Sequence, residues 1–304
     1  MSKLLCVYHK NCPDGFGAAW AVRRALGMEH VEMYAAAHQT APPDVRGRTV
    51  LIVDFCYPRQ IIEWMLREAE SVTILDHHKS ARDDLQSLEH PHLTAMFDMD
   101  RSGCGLTWEQ FFPGEPLPQL LAHIEDHDLW RFRLHGTRVV MAGLFSWPYD
   151  FEVWDGLMSR VPDLARDGLP LLRAKEKELS ELRATAGLPR LRIGGWLVPA
   201  FNVPHTCVGL ANPAAEGEPF AACYWVTERQ VSFSLRSSPQ GLDVAEIARQ
   251  YGGGGHQHAA GFRLSLEDAV EFFKASSMPV LFRLPAPARE MERADDVIDV
   301  TVAA

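Results

Sequence analysis

The chain of 304 residues is long enough for two ordinary domains, and 47% hydrophobic with 23% charged residues is the composition of a packed globule rather than of a disordered or fibrous chain. A formal net charge of -10 withholds the broad basic field that drives tight binding to long duplex DNA, which favours short or small phosphate-bearing partners. Met1–Lys10 reads as a strand rather than a leader peptide, no window approaches a membrane span, and the six cysteines (Cys6, Cys12, Cys56, Cys104, Cys207, Cys223) contain no C-x-x-C pair or zinc-knuckle spacing, so a reducing cytoplasm is the expected setting.

Continuous apolar or β-branched runs predict strands buried on both faces at Leu4–Tyr8, Thr49–Val53 and Val72–Leu75, with weaker candidates at Val31–Ala36 and Leu93–Phe97. Helical periodicity lies between them: Asp14–Leu26, a helix opened by Pro58 at its first position with Ile61, Ile62, Met65 and Leu66 as its apolar face, Gly105–Phe112, and Leu117–Ile124. Trp20, Trp64 and Trp108 fall on these helical patterns and are expected in the core. A charged helix over Leu169–Ala186 reads as a connector. Beyond Pro189 come strands at Trp196–Phe201, Phe220–Val226 and Val231–Arg236, a helix at Asp243–Tyr251, a glycine run, and a strand and helix over Phe262–Ala275.

Strand–helix alternation predicts an α/β fold, with a doubly wound, mostly parallel sheet, a second and smaller α/β domain, and a cleft between them. The expected boundaries are residues 1–150, a helical connector at 151–188, the second domain at 189–284 and a loosely ordered acidic tail at 285–304.

Each clear strand of the first part ends in a side chain able to hold a metal. His9 follows the first, with Asp14 in the next turn. Asp54 follows the second, and Asp76-His77-His78 the third. Ligands of open α/β sheets gather at the carboxyl ends of the strands, so His9, Asp54 and His77 are expected to converge. A further acidic group stands at Glu125-Asp126-His127-Asp128. Carboxylate and imidazole donors without thiolates suit a catalytic divalent cation rather than a structural zinc. Downstream, Gly252-Gly253-Gly254-Gly255-His256 offers backbone that can approach a ligand closely, with N–H groups free to bind oxyanions. Arg236-Ser237, at a strand end, adds a guanidinium fork and a hydroxyl.

In this order, His9–Gly15 (HKNCPDG), Asp54, the DHH of Asp76–His78, Asp126 near Leu129-Trp130, and the glycine run continuing to Ala259-Ala260-Gly261 resemble the DHH phosphoesterase superfamily with its C-terminal DHHA1 domain. The resemblance spans roughly Leu4–Phe262. It implies two divalent cations, Mn²⁺ first with Mg²⁺ or Co²⁺ as others, held by His9, Asp14, Asp54, His77 and Asp126, with Asp54 bridging. Such cations lower the pKa of water and stabilise charge on the attacking and leaving oxygens.

The resemblance further implies that His78 lies near the substrate phosphate, that Asp76 orients a neighbour, and that Arg236, Ser237, Gly253, Gly254, Gly255 and His256 grip the substrate. The implied partner is a short single-stranded nucleic acid or a nucleotide. Many relatives carry two aspartates in the first motif. Here Asn11 and Phe16 stand where the second carboxylate would be, which leaves the occupancy of one metal site open. A phosphatase or pyrophosphatase of a small non-nucleotide phosphate, and a nucleic-acid-binding homologue that has lost catalysis, are the alternative expectations.

Overall fold

Five runs that are apolar along most of their length hydrogen-bond side by side, and helices cover both faces of the sheet they form. A computed structural model of the chain describes residues 3–38, 40–186 and 189–276. In chain order the first part comprises β1 (Leu4–His9), α1 (Pro13–Leu26), β2 (Val31–Ala36), β3 (Thr49–Val53), α2 (Arg59–Glu68), β4 (Ser71–Asp76), α3 (Lys79–Leu85), β5 (Leu93–Phe97), α4 (Gly103–Phe111), α5 (Gln119–Asp128), α6 (Thr137–Leu144), α7 (Phe151–Leu157) and α8 (Val161–Ala186). The sheet is parallel throughout, in the order β2-β1-β3-β4-β5.

One face packs on Phe16, Trp20, Leu120 and Leu121, and the other on Ile62, Met65, Leu66 and Leu85. Burial on both faces explains the absence of apolar–polar alternation in β1, β3 and β4. The chain passes from β1 to β2 on one side and then returns to β3 on the other. The carboxyl ends of β1 and β3 therefore flank a topological switch point, the usual ligand crevice of an open parallel sheet.

The second part comprises β6 (Arg190–Ile193), β7 (Trp196–Asn202), a 3-10 turn at His205–Leu210, α9 (Ala211–Ala214), β8 (Ala221–Val226), β9 (Gln230–Arg236), α10 (Val244–Arg249), β10 (Gly254–His256), β11 (Ala259–Ser265) and α11 (Leu266–Ala275). Its six-stranded sheet has the order β10-β11-β9-β8-β7-β6 and is antiparallel except at β7–β8. It has its own core, in which Phe233, Phe262 and Tyr251 stack in succession. Among the described residues no helix is long and apolar enough to cross a membrane. The acidic tail from Pro285 lies outside the described residues.

Several expectations shift. Pro58 caps α2 from outside, with Arg59 as the first helical residue. The short elements α3, α6, β6 and β10 had no sequence expectation, because each is too short to show a period. The connecting helix is longer than the expected Leu169–Ala186. α8 begins at Val161, and Val161 and Leu164 enter the core of the first sheet, whereas Leu179 and Leu182 of the same helix pack against the second. The helix runs through Gly168 and Pro170.

Gly168 has a packing reason. A Cβ there would stand 1.9 Å from the Val139 carbonyl oxygen of α6, and one at Gly143 would stand 2.2 Å from the Leu164 carbonyl oxygen of α8. The two helices touch backbone to backbone. Gly168→Ala must push them apart and should cost about 1–3 kcal/mol. Gly156→Ala in α7, where an added Cβ meets nothing within 4 Å, should instead be neutral or stabilising by about 0.5–1 kcal/mol. Denaturant unfolding of the two variants checks both signs, and equal effects would refute the close crossing.

Candidate metal centre

The parallel sheet delivers its polar residues in a row. β1 ends at His9, β3 is followed by Asp54, and β4 ends at Asp76 before His77 and His78. Asp54 has a left-handed backbone (φ 52), a conformation that a short Asp tolerates better than a branched residue. The N-terminus of α4 presses against it: a Cβ at Gly103 would stand 2.3 Å from the Asp54 Cβ, so only glycine fits.

His77 is the hub. Its Nε2 lies 3.0 Å from Asp54 Oδ1, 3.5 Å from Asp14 Oδ2 and 3.5 Å from Asp128 Oδ2. Asp14 is fully buried. Its Oδ1 accepts from Ser102 Oγ (2.7 Å) and the Cys104 amide (2.9 Å), and its Oδ2 accepts from the Gly103 amide (2.6 Å). The first turn of α4 thus supplies the N–H groups that helix starts leave unsatisfied. Asp76 Oδ1 accepts from the His77 amide (2.8 Å) and faces His78 Nδ1 at 2.7 Å, which fixes the His78 ring. From the second sheet, the His256 ring lies 4.4 Å from that of His78 and 4.7 Å from that of His77.

Donor atoms gather in four overlapping groups, each within 4.8 Å: His9, Cys12 and Asp54; Asp14, His77 and Asp128; Asp54, Asp76, His77 and His78; and His77, His78 and His256. The structure therefore brings together His9, Asp14, Asp54, Asp76, His77, His78 and His256 of the expected set. Asp126 is not among them. Its carboxylate turns away to accept from the Arg133 and Leu134 amides (2.8 and 3.1 Å) and from Thr137 Oγ1 (2.5 Å), closing the loop after α5. Asp128, two residues later at the end of the same helix, faces His77 instead. Both stand in one acidic run, and only the helix end decides which turns inward. Cys12 was also missed, because sequence spacing gave a single thiol no partner.

The glycine run differs from expectation as well. Gly254–His256 is a strand paired with β11. Gly253 N donates to Ala248 O, and Gly255 N donates to Ser80 Oγ of α3 at 3.4 Å. A Cβ at Gly253 would stand 2.1 Å from the Gly261 carbonyl oxygen. Gly253, Gly254 and Gly255 thus serve close approach to β11 and α3, and the Gly253 and Gly255 amides are engaged within the protein. Ser237 Oγ is engaged with His258 Nδ1 at 2.9 Å. Arg236 Nη1 donates to Ser234 Oγ and to the Leu235 carbonyl, and among the described residues the guanidinium has no carboxylate partner.

Charges in this pocket are mutually adjusted. Burial, together with Asp54 and Asp128, pushes Asp14 well above the usual carboxylate range. Burial also pushes Asp128 up, as does Asp54, against the pull of His77. Against its own burial, His77 is held up at about 10 by Asp54, Asp128 and Asp14. Burial and then the neighbouring His78 and His77 rings force His256 well below its ordinary value, so it is neutral. Asp126, bonded by Thr137 and two amides, sits below its usual range despite burial.

This donor set fits divalent cations. Asp54 Oδ2 and Asp128 Oδ2 are buried with no hydrogen-bond partner among the described residues, a costly state that a cation relieves. His9, Asp14, Asp54, His77 and Asp128 could hold such ions, and carboxylate and imidazole donors accept Mn²⁺, Co²⁺ and related metals.

Comparison with known proteins agrees with this layout. Residues 213–277 match the DHHA1 domain family. The chain is 29% identical to the uncharacterized protein R106 of Acanthamoeba polyphaga mimivirus over 90% of this chain and 71% of that protein. Its fold is similar to that of the DHH domain of a member of the s1p family of ribosomal proteins (TM-score 0.55, 11% identity, covering 90% of this chain and 86% of that one). RecJ from Thermus thermophilus in complex with Mn²⁺ is a more distant likeness (TM-score 0.45, 16% identity, 90% of this chain and 51% of that one). The DHHA1 match falls on the second sheet, and the fold of the chain is similar to that of a DHH-domain protein.

Two outcomes follow from the geometry. Asp128→Asn should lower divalent-metal affinity by about 10–100-fold, whereas Asp126→Asn should leave metal content unchanged and lower stability instead. Elemental analysis and thermal unfolding separate the two, and the reverse pattern would restore Asp126 as the ligand. Because His77 carries a proton at neutral pH (its pKa is about 10) and must lose it to become a ligand, metal loading should release protons. Affinity should therefore rise with pH and fall on acidification. Calorimetry in buffers of different ionisation enthalpy reads the proton count, and buffer-independent heats would contradict it.

Proposed function

We propose that this chain is a divalent-metal-dependent phosphoesterase that hydrolyses phosphodiester or phosphomonoester bonds of short oligonucleotides or small nucleotides, with two cations, Mn²⁺ first among them. The observation that carries this reading is an opposition of charge across the cleft. Carboxylate oxygens of Asp54 and Asp128, without hydrogen-bond partners among the described residues, face a second sheet that carries the half-buried Arg236, whose guanidinium has no carboxylate partner among the described residues.

The register of the second sheet supports a phosphate grip. Ala259 pairs with His256 on one side and with Arg236 on the other, so the three stand in one cross-strand row. Side chains of a cross-strand row share one face, about 5 Å apart per strand. The small Ala259 leaves room between the imidazole and the guanidinium, and a phosphate fits that width. The RecJ likeness adds no weight to the choice of substrate, and the net charge of -10 favours short ones.

Bound cations would lower the pKa of water and offset charge on the reacting phosphate. The chain's own residues do the rest. His9, Asp14, Asp54, His77 and Asp128 bind and orient the ions. Asp76 fixes the His78 ring through Nδ1, and although burial opposes it, Asp76 also holds His78 above its ordinary value. A charged His78 donates a hydrogen bond to a phosphate oxygen beside the metals. Arg236 and His256 orient the far side of the substrate, and the closed contact between the two sheets excludes bulk water.

A hydrolysis screen with Mn²⁺ across dinucleotides, short RNA and DNA, cyclic dinucleotides and 3′,5′-bisphosphorylated adenosine tests the reading. Turnover of at least one of them, abolished by chelation, is expected; no turnover by metal-loaded protein on any would overturn it. Arg236→Ala should lower kcat/KM on a 5′-phosphorylated dinucleotide by roughly ten- to a hundredfold, the worth of one charged hydrogen bond of about 1.5–3 kcal/mol. A minimal chromogenic phosphodiester should be much less affected, with metal content unchanged. Equal losses on both substrates would refute the division of labour between the two sheets.

A further inference from the structure

We infer that Cys12 is a metal ligand, so that one of the two cation sites carries a sulfur donor beside His9 and Asp54. The inference rests on the metal-dependent reading above and deepens it by making the two sites chemically unequal. Cys12 occupies the N-cap of α1, with φ -119 and ψ 127. That position ordinarily selects Ser, Thr, Asp or Asn, whose side chain accepts a helix N–H. Cys12 makes at most a weak sulfur contact to the Gly15 amide in place of such a bond. Its side chain turns instead to the end of the sheet, where its sulfur, a His9 nitrogen and an Asp54 oxygen lie within 4.8 Å of one another.

Two further observations point the same way. Asp54 is buried, and its Oδ2, 3.7 Å from His9 Nδ1, has no hydrogen-bond partner among the described residues. The loop is built to make this turn: Asn11, between β1 and Cys12, has a left-handed backbone (φ 57), which Asn tolerates. None of the other five thiols joins a comparable donor group among the described residues. Cys104, the next nearest to the centre, is buried and engaged with Ser102 Oγ and the Leu121 carbonyl.

The consequence is selectivity. The Asp14, His77 and Asp128 group offers oxygen, nitrogen and oxygen, whereas the His9, Cys12 and Asp54 group offers nitrogen, sulfur and oxygen. A thiolate disfavours Mg²⁺ and draws Zn²⁺, Co²⁺ or Fe²⁺. Coordination exchanges the thiol proton for the cation and releases that proton to solvent. The sulfur also supplies a third protein donor in a first motif that lacks the second aspartate.

The test is a Co²⁺ titration of the full chain with a thiol-free reductant. Wild-type protein should show a near-ultraviolet sulfur-to-cobalt charge-transfer band together with visible d–d bands. Cys12→Ser should lose the charge-transfer band and keep the d–d bands. In the same variant Zn²⁺ affinity should fall about a hundredfold and Mn²⁺ affinity by less than about tenfold. Should the variant fold poorly, wild-type protein answers alone. Zn²⁺ should slow alkylation of Cys12 by iodoacetamide, read by peptide mass spectrometry, by about tenfold or more. Bound cobalt with d–d bands but no charge-transfer band, or alkylation indifferent to Zn²⁺, would overturn the sulfur ligand and leave the metal-dependent reading standing. Absence of any bound cobalt would overturn both.

Discussion

Everything in this molecule is organised around a concentration of negative charge that the fold alone does not neutralise. Asp14, Asp54 and Asp128 converge on one imidazole, and among the described residues two of their oxygens have no hydrogen-bond partner. Like charges in a poorly solvated pocket repel strongly, and the group responds by shifting protons: Asp14 and Asp128 move up, and His77 holds its proton. Such an arrangement costs stability and persists only where the surroundings over-determine it. Here they do. Asp54 is clamped against Gly103, and the first turn of α4 saturates Asp14. Divalent cations would be the natural counter-charge, and in the function proposed above the repulsion among these carboxylates would be returned as affinity for the ions that relieve it.

The second sheet completes this centre by closing onto it. Lys79 of α3 pairs with Asp243 before α10 at 2.5 Å, Ser80 accepts from Gly255, and Arg263 reaches the His38 carbonyl. These contacts bring His256 against His77 and His78. They involve exposed or half-buried polar groups rather than an apolar seam, and polar contacts of that kind separate at small cost. A cleft that must admit substrate and then exclude water is well served by such an interface. α8 supports the geometry from outside, because one helix is buried in both cores and sets the distance between them.

The strands were legible because burial on both faces writes itself as uninterrupted apolar sequence, and their ends fixed His9, Asp54 and His77 as neighbours. The short elements were not, since a four-residue strand such as β6 or a glycine strand such as β10 carries no period. β10 shows the reason most clearly. Glycines read as conformational freedom in sequence, yet in the fold they are the residues thin enough to lie between β11 and α3.

By itself the sequence determined the order of the elements, the parallel sheet and the identity of most donors at its strand ends, because hydrophobic periodicity and strand direction are local properties. Only the tertiary structure decided between Asp126 and Asp128, and only it brought Cys12 to His9 and Asp54. Both questions turn on where a side chain points at a helix terminus, and that direction is set by the neighbours it meets: the Arg133 and Leu134 amides for Asp126, and His77 for Asp128. A ligand set is a statement about distances in space, and residues 12, 54 and 128 become neighbours only when the chain has been packed.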